Sequence, residues 1–230
     1  MLPVLLFAAA VGSPGAFGEG NEVGFVPLFD GGTLDGWDGD AARWAVEDGV
    51  IVGRSTEDDP LPFNTFLHRP GPAGDFELRL DYKIESGNSG VQYRSTVSDA
   101  AGHRVVGPQA DIDSSPRYTG IHYSEGRRGI VALCGQIVEV TADGENRVVG
   151  TCGDPAVLQK RFVGEGGTDG WNTYRIVAAG QTVSHFINDQ LMCEVTDRRP
   201  DAERDGVIAL QLHRGPPMVV RFRDVRLKQK

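Results

Sequence analysis

Cysteine is scarce in this chain. Only Cys134, Cys152 and Cys193 occur among 230 residues, and no two of them form a CxxC pair. This absence argues against a structural zinc site, because such sites are commonly built from closely spaced cysteine pairs. A chain of this length also has no need of disulfide staples, since it can bury enough surface to form a stable core without them.

Basic residues are outnumbered by acidic ones, and several common motifs are missing. Lys and Arg total 23 against 32 Asp and Glu, which gives a formal net charge of −9. Because a surface of this sign repels phosphate backbones, we expect no nucleic acid partner. The sequence contains no nucleophile elbow, P-loop or dinucleotide fingerprint, and this argues against the enzyme classes that depend on them.

Long apolar runs are also lacking, with one exception at the N-terminus. The first 18 residues carry no charged side chain, but Gly and Pro interrupt them and the run is too short to span a bilayer. The pattern resembles the apolar part and small-residue end of a secretion signal, although no basic residues precede it. We therefore predict that residues 1–20 are a signal peptide or a disordered leader, that the protein is secreted or periplasmic, and that no other segment spans a membrane.

The chain is rich in glycine, proline and short alternating segments. Its 31 Gly and 13 Pro provide for many turns, as a sandwich of short strands requires. About a dozen segments have strand-like patterns, and turn signals such as Asp48-Gly49 separate them. Residues 155–162 predict one short helix, with Asp154 as its cap and Pro155 in the first turn. The pattern predicts an all-β sandwich of two packed antiparallel sheets with one short helix.

Two of the cysteines flank a segment that has the pattern of a hairpin. Cys134 and Cys152 stand at its two ends, and Asp143-Gly144 marks its turn. A disulfide between them is a candidate because the turn brings the two ends side by side, and two free thiols are the alternative. Cys193 lies between strand neighbours and is predicted to be a buried thiol.

The segment at 76–94, FELRLDYKIESGNSGVQYR, has the most informative pattern for function. In its first part apolar and charged residues alternate, so that one face of the strand is apolar and the other is charged. In its second part Gln92 and Arg94 alternate with Val91 and Tyr93, and later strands repeat this arrangement. If these strands are neighbours in one sheet, their polar sides form a single surface, which consists of Arg79, Gln92, Arg94, Gln109, Asp111, Gln211 and His213.

Such a surface is suited to a ligand with many hydroxyl groups. Amide, carboxyl, guanidinium and imidazole groups offer donors and acceptors that match vicinal hydroxyls. Gly87, Gly90 and Gly107 flank these strands, where a missing side chain permits close approach of a ligand or a backbone. The alternative is that the alternation marks only the solvated side of an ordinary antiparallel sandwich.

Other polar residues are open to more than one interpretation. His213 ends a strand and precedes a stiff Arg-Gly-Pro-Pro loop, and it is either structural or catalytic. His122 and Glu125 form a second candidate pair in a loop rich in Gly and Arg. Three aspartates near the N-terminus are predicted to form turns, and a role as metal ligands stays open although no EF-hand spacing is present. They are Asp30, Asp35 and Asp38.

Five blocks of the sequence together resemble the 3-keto-disaccharide hydrolase family. They are LFDGGTLDGW (28–37), the block at 76–94, GPQADID (107–113), WNTYRIVAAGQTVSHFINDQ (171–190) and GVIALQLHRGPPMVVRFRDVRLK (206–228). The resemblance implies a single domain over residues 25–228 with a concanavalin-like jelly roll, whose concave sheet carries a carbohydrate site. It also implies activity on 3-keto-glycosides. Many relatives have Glu-Tyr-Gln where this chain has Gly107-Pro108-Gln109, so that Asp111 becomes the candidate acid.

A 3-keto sugar can lose its C1 substituent without any enzyme nucleophile. The ketone makes the C2 proton acidic, so a base can remove it, the aglycone leaves by elimination, and water adds to the enone. We expect His213 and Asp111 to transfer protons, and Arg94 and Gln109 to donate to the enolate or hydroxyl oxygens. Further substrate-binding candidates are Arg79, Gln92, Gln211 and Glu125.

Three alternatives stay open at this point. Direct hydrolysis by two carboxylates would use Asp111 and Glu125. A non-catalytic carbohydrate-binding module would use the same fold and the same surface, since a fold does not fix a function. A divalent metal is compatible with the chemistry, but the sequence assigns no ligands to it. The expected partner is a small carbohydrate, and the sequence leaves the oligomeric state open.

Overall fold

A computed structural model describes residues 23–72, 74–115, 117–162 and 170–230. The predicted leader at residues 1–20 lies outside the described residues, and export therefore stays a prediction. The elements, in chain order, are β1 (Val26–Pro27), β2 (Trp44–Glu47), β3 (Val50–Ser55), β4 (Thr65–Pro70), β5 (Phe76–Ser86), β6 (Asn88–Asp99), β7 (Arg104–Asp113), β8 (His122–Glu125), β9 (Gly129–Ala132), β10 (Gln136–Val140), β11 (Asn146–Thr151), α1 (Pro155–Phe162), β12 (Asn172–Ala179), β13 (Thr182–Ile187), β14 (Gln190–Asp197), β15 (Val207–Leu212) and β16 (Met218–Gln229).

The described strands form two sheets, which confirms the all-β sandwich with one short helix. The larger sheet has ten strands in the order β11-β10-β14-β13-β12-β5-β16-β3-β2, with β1 paired to β16. The smaller sheet has six strands in the order β4-β15-β6-β7-β8-β9. One detail differs from the prediction of antiparallel sheets, because β10 and β14 pair in parallel.

The core lies between the apolar faces of the two sheets. The larger sheet contributes Phe76, Leu78 and Leu80 of β5 to this core, and the smaller sheet contributes Ile208 and Leu210 of β15. In β5 these residues alternate with charged neighbours, so the period of two in the sequence directly sets which face of that strand is buried.

The turn at Gly87 carries the chain from one sheet to the other. Strand β5 pairs with β12 and β16, whereas β6 pairs with β7 and β15. Gly87 has a φ of +82°, which glycine adopts without strain. The charged side of β5 and the polar side of β6 therefore face opposite surfaces of the sandwich. Arg79 lies on the larger sheet in an ion pair with Glu77 (2.6 Å), so its predicted place beside Gln92 is wrong.

A bulge in β6 turns Arg94 inward. Between Gln92 and Thr96 the strand has one residue more than its partner, where Gln109 and Val106 face them. Arg94 has a φ of +49° and lies within this irregular stretch. Its guanidinium donates to the carbonyl oxygens of Gly74 (2.7 Å) and Gly180 (3.3 Å), and the side chain is 2% exposed. The prediction that Arg94 lies on the polar surface is wrong, because the extra residue changes the direction of its side chain.

A cluster of polar rings lies inside the sandwich. The Tyr93 hydroxyl is 2.7 Å from His185 Nε2, and the His122 ring stacks on His185 with 5.1 Å between centroids. Burial lowers the pKa of His122 to about 4, so the ring is neutral at physiological pH. His122 is thus a structural residue, and it does not form a surface pair with Glu125.

The two candidate disulfide residues are free thiols in the structure. Strand pairing brings the two ends of this hairpin together as expected, since the backbone N–H of Cys152 donates to the carbonyl oxygen of Gly135, which follows Cys134 (2.8 Å). The Cys152 thiol, however, is directed to the Met192 carbonyl oxygen (3.5 Å), and Cys134 is buried. Cys193 is a buried thiol as predicted.

Arg94 should stabilise the fold. In an Arg94→Met variant the Gly74 carbonyl oxygen loses its donor and the Gly180 oxygen keeps only Arg204 (3.2 Å), and we expect the free energy of unfolding to fall by about 2–3 kcal/mol. Urea denaturation followed by circular dichroism would measure the loss. The matched control is Arg147→Met, because the Arg147 side chain is 59% exposed. An equal effect in both variants would contradict the structural role of Arg94.

Candidate functional site

A cleft of about 530 Å³ lies on the outer face of the six-stranded sheet. Strand β7 contributes Gln109 and Asp111 to it, while Ala110 and Ile112 between and beyond them face the core. Strand β8 contributes Glu125, and His213 follows the end of β15. The alternation of each strand therefore aims the polar residues away from the core and into one cleft.

Three glutamine side chains form a continuous hydrogen-bonded chain at the base of the cleft. Gln92 Nε2 donates to Gln109 Oε1 (3.1 Å). Gln109 Nε2 donates both to Asp111 Oδ1 (2.6 Å) and to Gln211 Oε1 (3.2 Å). All three glutamines are buried. Because both N–H groups of Gln109 are used, this amide orients its neighbours and does not have a donor left for a ligand.

A second arm connects this chain to the rim of the cleft. Glu125 Oε2 accepts from Gln211 Nε2 (3.5 Å), and Glu125 Oε1 accepts from Asn64 Nδ2 (2.9 Å). Asn64 Oδ1 in turn accepts from the backbone N–H of Arg214 (2.8 Å). The loop that carries His213 is therefore held against the same network.

The carboxyl group of Asp111 is the most perturbed acid in the cleft. It is 5% exposed and accepts from Asn88 Nδ2 (3.1 Å) as well as from Gln109. Burial raises its pKa to about 7, and the charges of Asp113 and Glu125 add to this, while the two amide donors act in the opposite direction. A carboxyl that titrates near neutral pH can take up and release a proton under working conditions.

Gly90 is required by the position of Gln109. A Cβ atom at residue 90 would lie 2.5 Å from three atoms of the Gln109 side chain. The glycine therefore leaves room for the amide that orients Asp111. The sequence pattern indicated close approach at this position, and here the group that approaches is a protein side chain.

The structure brings together most of the residues that the sequence singled out. Asp111, Gln109, Glu125 and His213 line the cleft, and Gln92 and Gln211 lie in the network beneath. Arg79 and Arg94 lie elsewhere, for the reasons given above. Trp171 and Tyr123 are the aromatic residues that the sequence offers for stacking on a sugar. Tyr123 lines the cleft, whereas Trp171 packs under Arg223 of the larger sheet, with 4.1 Å between the guanidinium carbon and the ring centroid.

Several lining residues carry no clear signal in the sequence. Asn64 lies in a loop, and only the long-range contact with Glu125 shows its place in the site. Asn88 directly follows Gly87, and its polar side chain could have been included because it starts the same strand as Gln92. Tyr118 also lines the cleft and provides aromatic surface.

The sequence pattern of the 3-keto-alpha-glucoside-1,2-lyase-like domain matches residues 24–228. The chain belongs to this family. A curated relative, the 3-keto-disaccharide hydrolase of Bacteroides thetaiotaomicron, is 28% identical over 191 residues, which are 74% of this chain. The chain spans 58% of the length of that relative.

Solved structures support the fold. A protein from Parabacteroides distasonis described as a candidate glycosyl hydrolase matches with a TM-score of 0.54 and 20% identity, over 90% of this chain and 99% of the other. The carbohydrate-binding module CBM66 of Bacillus subtilis matches with a TM-score of 0.54 and 14% identity, over 84% of this chain and 96% of the module. At these identities the matches establish the jelly-roll architecture alone. Among the described residues, no helix has the length and apolar character to cross a bilayer.

The raised pKa of Asp111 makes stability depend on pH in a definite direction. Between pH 3.8, the ordinary pKa of the group, and about 7, the folded chain holds a proton that the unfolded chain has released. The contribution of this group to stability therefore falls as the pH rises through that window. We compare the free energy of unfolding of Asp111→Asn with that of the wild type. Between pH 5 and pH 8 this difference should shift in favour of the variant by about 1–3 kcal/mol.

Thermal unfolding of both proteins at the two pH values would measure this gain. Asp58→Asn serves as the control, since Asp58 is exposed and lies outside the cleft. A difference between Asp111→Asn and the wild type that stays constant with pH would show that the carboxyl does not titrate near neutrality.

Proposed function

We propose that the chain cleaves 3-keto-glycosides by removal of the C2 proton, elimination of the C1 aglycone and hydration of the product. The observation that carries the proposal is the buried carboxyl of Asp111, which titrates near neutral pH in the same cleft as His213. Membership of a family whose description refers to 3-keto-alpha-glucosides supports the substrate class.

Asp111 and His213 supply the two proton transfers of this route. A group with a pKa of about 7 is suited to accept the acidified C2 proton and later to return it. His213 lines the same cleft from the end of β15 and can protonate the leaving oxygen. Asp111 lies on β7 and His213 follows the end of β15, so the two groups can approach a bound sugar from different sides.

The donor for the enolate oxygen differs from the one that the sequence suggested. Arg94 is inside the sandwich, and the Gln109 amide is already occupied by Asp111 and Gln211. Arg214, next to His213, lines the cleft and has an exposed side chain. We assign to its guanidinium the stabilisation of the developing negative charge.

The alternative with two carboxylates has less support from the hydrogen bonds. Both oxygens of Glu125 already accept from amide side chains, Asn64 and Gln211. This arrangement suits a residue that fixes the network better than a nucleophile or a free base. The binding-module alternative uses the same cleft, and the aromatic surface of Tyr118 and Tyr123 would serve it equally well.

A panel of glucosides in native and 3-keto form tests the proposal. We expect the wild type to release the aglycone only from the 3-keto compounds, and Asp111→Asn and His213→Ala to lower that rate by about 10²-fold or more. Liquid chromatography of the products would measure release. Arg79→Gln is the control, because Arg79 lies on the other sheet, and it should keep the wild-type rate within about twofold.

Three results would contradict the proposal. Unchanged rates in both variants would remove Asp111 and His213 from the reaction. Release from native glucosides at the same rate would favour direct hydrolysis. Binding of glycans by calorimetry without any turnover would identify the chain as a carbohydrate-binding module.

Gly90→Ala tests the geometry of the site without removing any functional group. The added Cβ displaces the Gln109 amide from Asp111, and we expect a loss of at least about tenfold in kcat toward the 3-keto-glucoside. Gly32→Ala is the matched control, since a Cβ there meets only Asp30 at an ordinary 3.7 Å. A fully active Gly90→Ala protein would show that the contact between Gln109 and Asp111 is dispensable.

A further inference from the structure

A second group of polar residues meets at the edge of the six-stranded sheet, away from the residues of the cleft. Asp38 comes from the N-terminal loop, His68 from the edge strand β4, and His103 from the turn between β6 and β7. One carboxylate oxygen and one imidazole nitrogen from each histidine all lie within 4.8 Å of one another. None of the three residues lines the cleft of Asp111.

The backbone holds these three residues in place independently of their side chains. Asp38 and His68 form an isolated β-bridge with two backbone hydrogen bonds of 2.7 and 2.8 Å. Gly39 lets the loop lie directly against β4, because a Cβ there would be 2.8 Å from the Leu67 side chain. His103 has a φ of +46°, and its carbonyl oxygen accepts from the Phe66 amide (2.9 Å). The side chains therefore converge on a rigid frame.

The facing nitrogen atoms have no hydrogen-bond partner. His68 Nε2 and His103 Nδ1 are both buried and unsatisfied. The carboxylate oxygens of Asp38 lie 3.7 Å from the first and 3.6 Å from the second, which is too far for a hydrogen bond. Buried polar atoms are rarely left without a partner, and this cluster leaves two that point at the same carboxylate.

The spacing suits a metal ion that lies between the three atoms. With metal–ligand bonds of about 2.0–2.1 Å, neighbouring ligands of a tetrahedral ion are about 3.3 Å apart. His68 Nε2 lies 3.7 Å from one carboxylate oxygen of Asp38 and His103 Nδ1 lies 3.6 Å from the other, and each distance exceeds this value by a few tenths of an ångström.

We propose that Asp38, His68 and His103 bind one divalent transition-metal ion of the Zn²⁺ type. Two imidazoles and one carboxylate match the ligand preference of such ions, whereas Ca²⁺ and Mg²⁺ prefer oxygen ligands. Asp38 has a 67% exposed side chain, so water completes the coordination from the open side. Bound metal would fasten the N-terminal loop to the edge strand of the sheet, and the site uses no cysteine.

Metal titration of the full chain tests this site. After chelation and dialysis, we expect Zn²⁺ to bind with one ion per chain by calorimetry and to raise the melting temperature by several °C. Co²⁺ should give the visible absorption bands of a tetrahedral site. Asp38→Asn and His103→Asn should each weaken Zn²⁺ binding at least about tenfold. Asn at residue 103 tolerates the positive φ, and Asp38 is exposed, so both variants should fold.

Two variants serve as controls for other ligands. Asp35→Asn removes an exposed carboxylate from the same loop, and Cys152→Ser removes the most accessible thiol. Both should bind Zn²⁺ as the wild type does. The inference is overturned if the wild type binds no stoichiometric Zn²⁺, or if Asp38→Asn and His103→Asn bind it with unchanged affinity. Cleavage of 3-keto-glucosides is measured separately, so either proposal can fail without the other.

Discussion

The candidate site depends on the side-chain amide of Gln109. Its nitrogen donates to Asp111 and Gln211, and its oxygen accepts from Gln92, so one group joins three strands of the smaller sheet. Buried polar groups are costly unless they are paired, and this amide pairs with three of them at once. It can do so only because Gly90 has no side chain at the point where the amide passes. The acid of the site is therefore positioned by packing as well as by hydrogen bonds.

The same network explains how a carboxyl group can be kept buried at a working site. Removal from water raises the pKa of Asp111, and two amide donors limit that rise without cancelling it. A salt bridge at this position would hold the group ionised at neutral pH. Amides leave both protonation states accessible, which is the property that proton transfer requires. The raised pKa of Asp111 therefore lowers the stability of the fold at neutral pH, while it makes the carboxyl group suitable for proton transfer.

The two arginines show why a polar side chain on a strand does not by itself belong to a site. Arg79 belongs to the larger sheet because the turn at Gly87 changes sheets, and a Gly-rich turn looks the same in the sequence whether the chain folds back or crosses over. Arg94 follows the expected alternation until one extra residue in β6 turns it inward. Bulges depend on the partner strand, so alternation along one segment cannot reveal them.

The sequence by itself determined the sandwich, the short helix and the polar side of each strand, because these follow from local periods and turn residues. It also identified Gln109, Asp111 and Gln211, which lie on the polar sides of their strands, and His213, which follows the end of β15. Only the tertiary structure decided which strands are neighbours, and therefore which polar sides share a cleft. It alone placed Asn64 beside Glu125, buried Arg94 between the sheets and brought His68 and His103 to Asp38. The physical reason is that contacts between distant segments are set by strand pairing and packing, which no local pattern encodes.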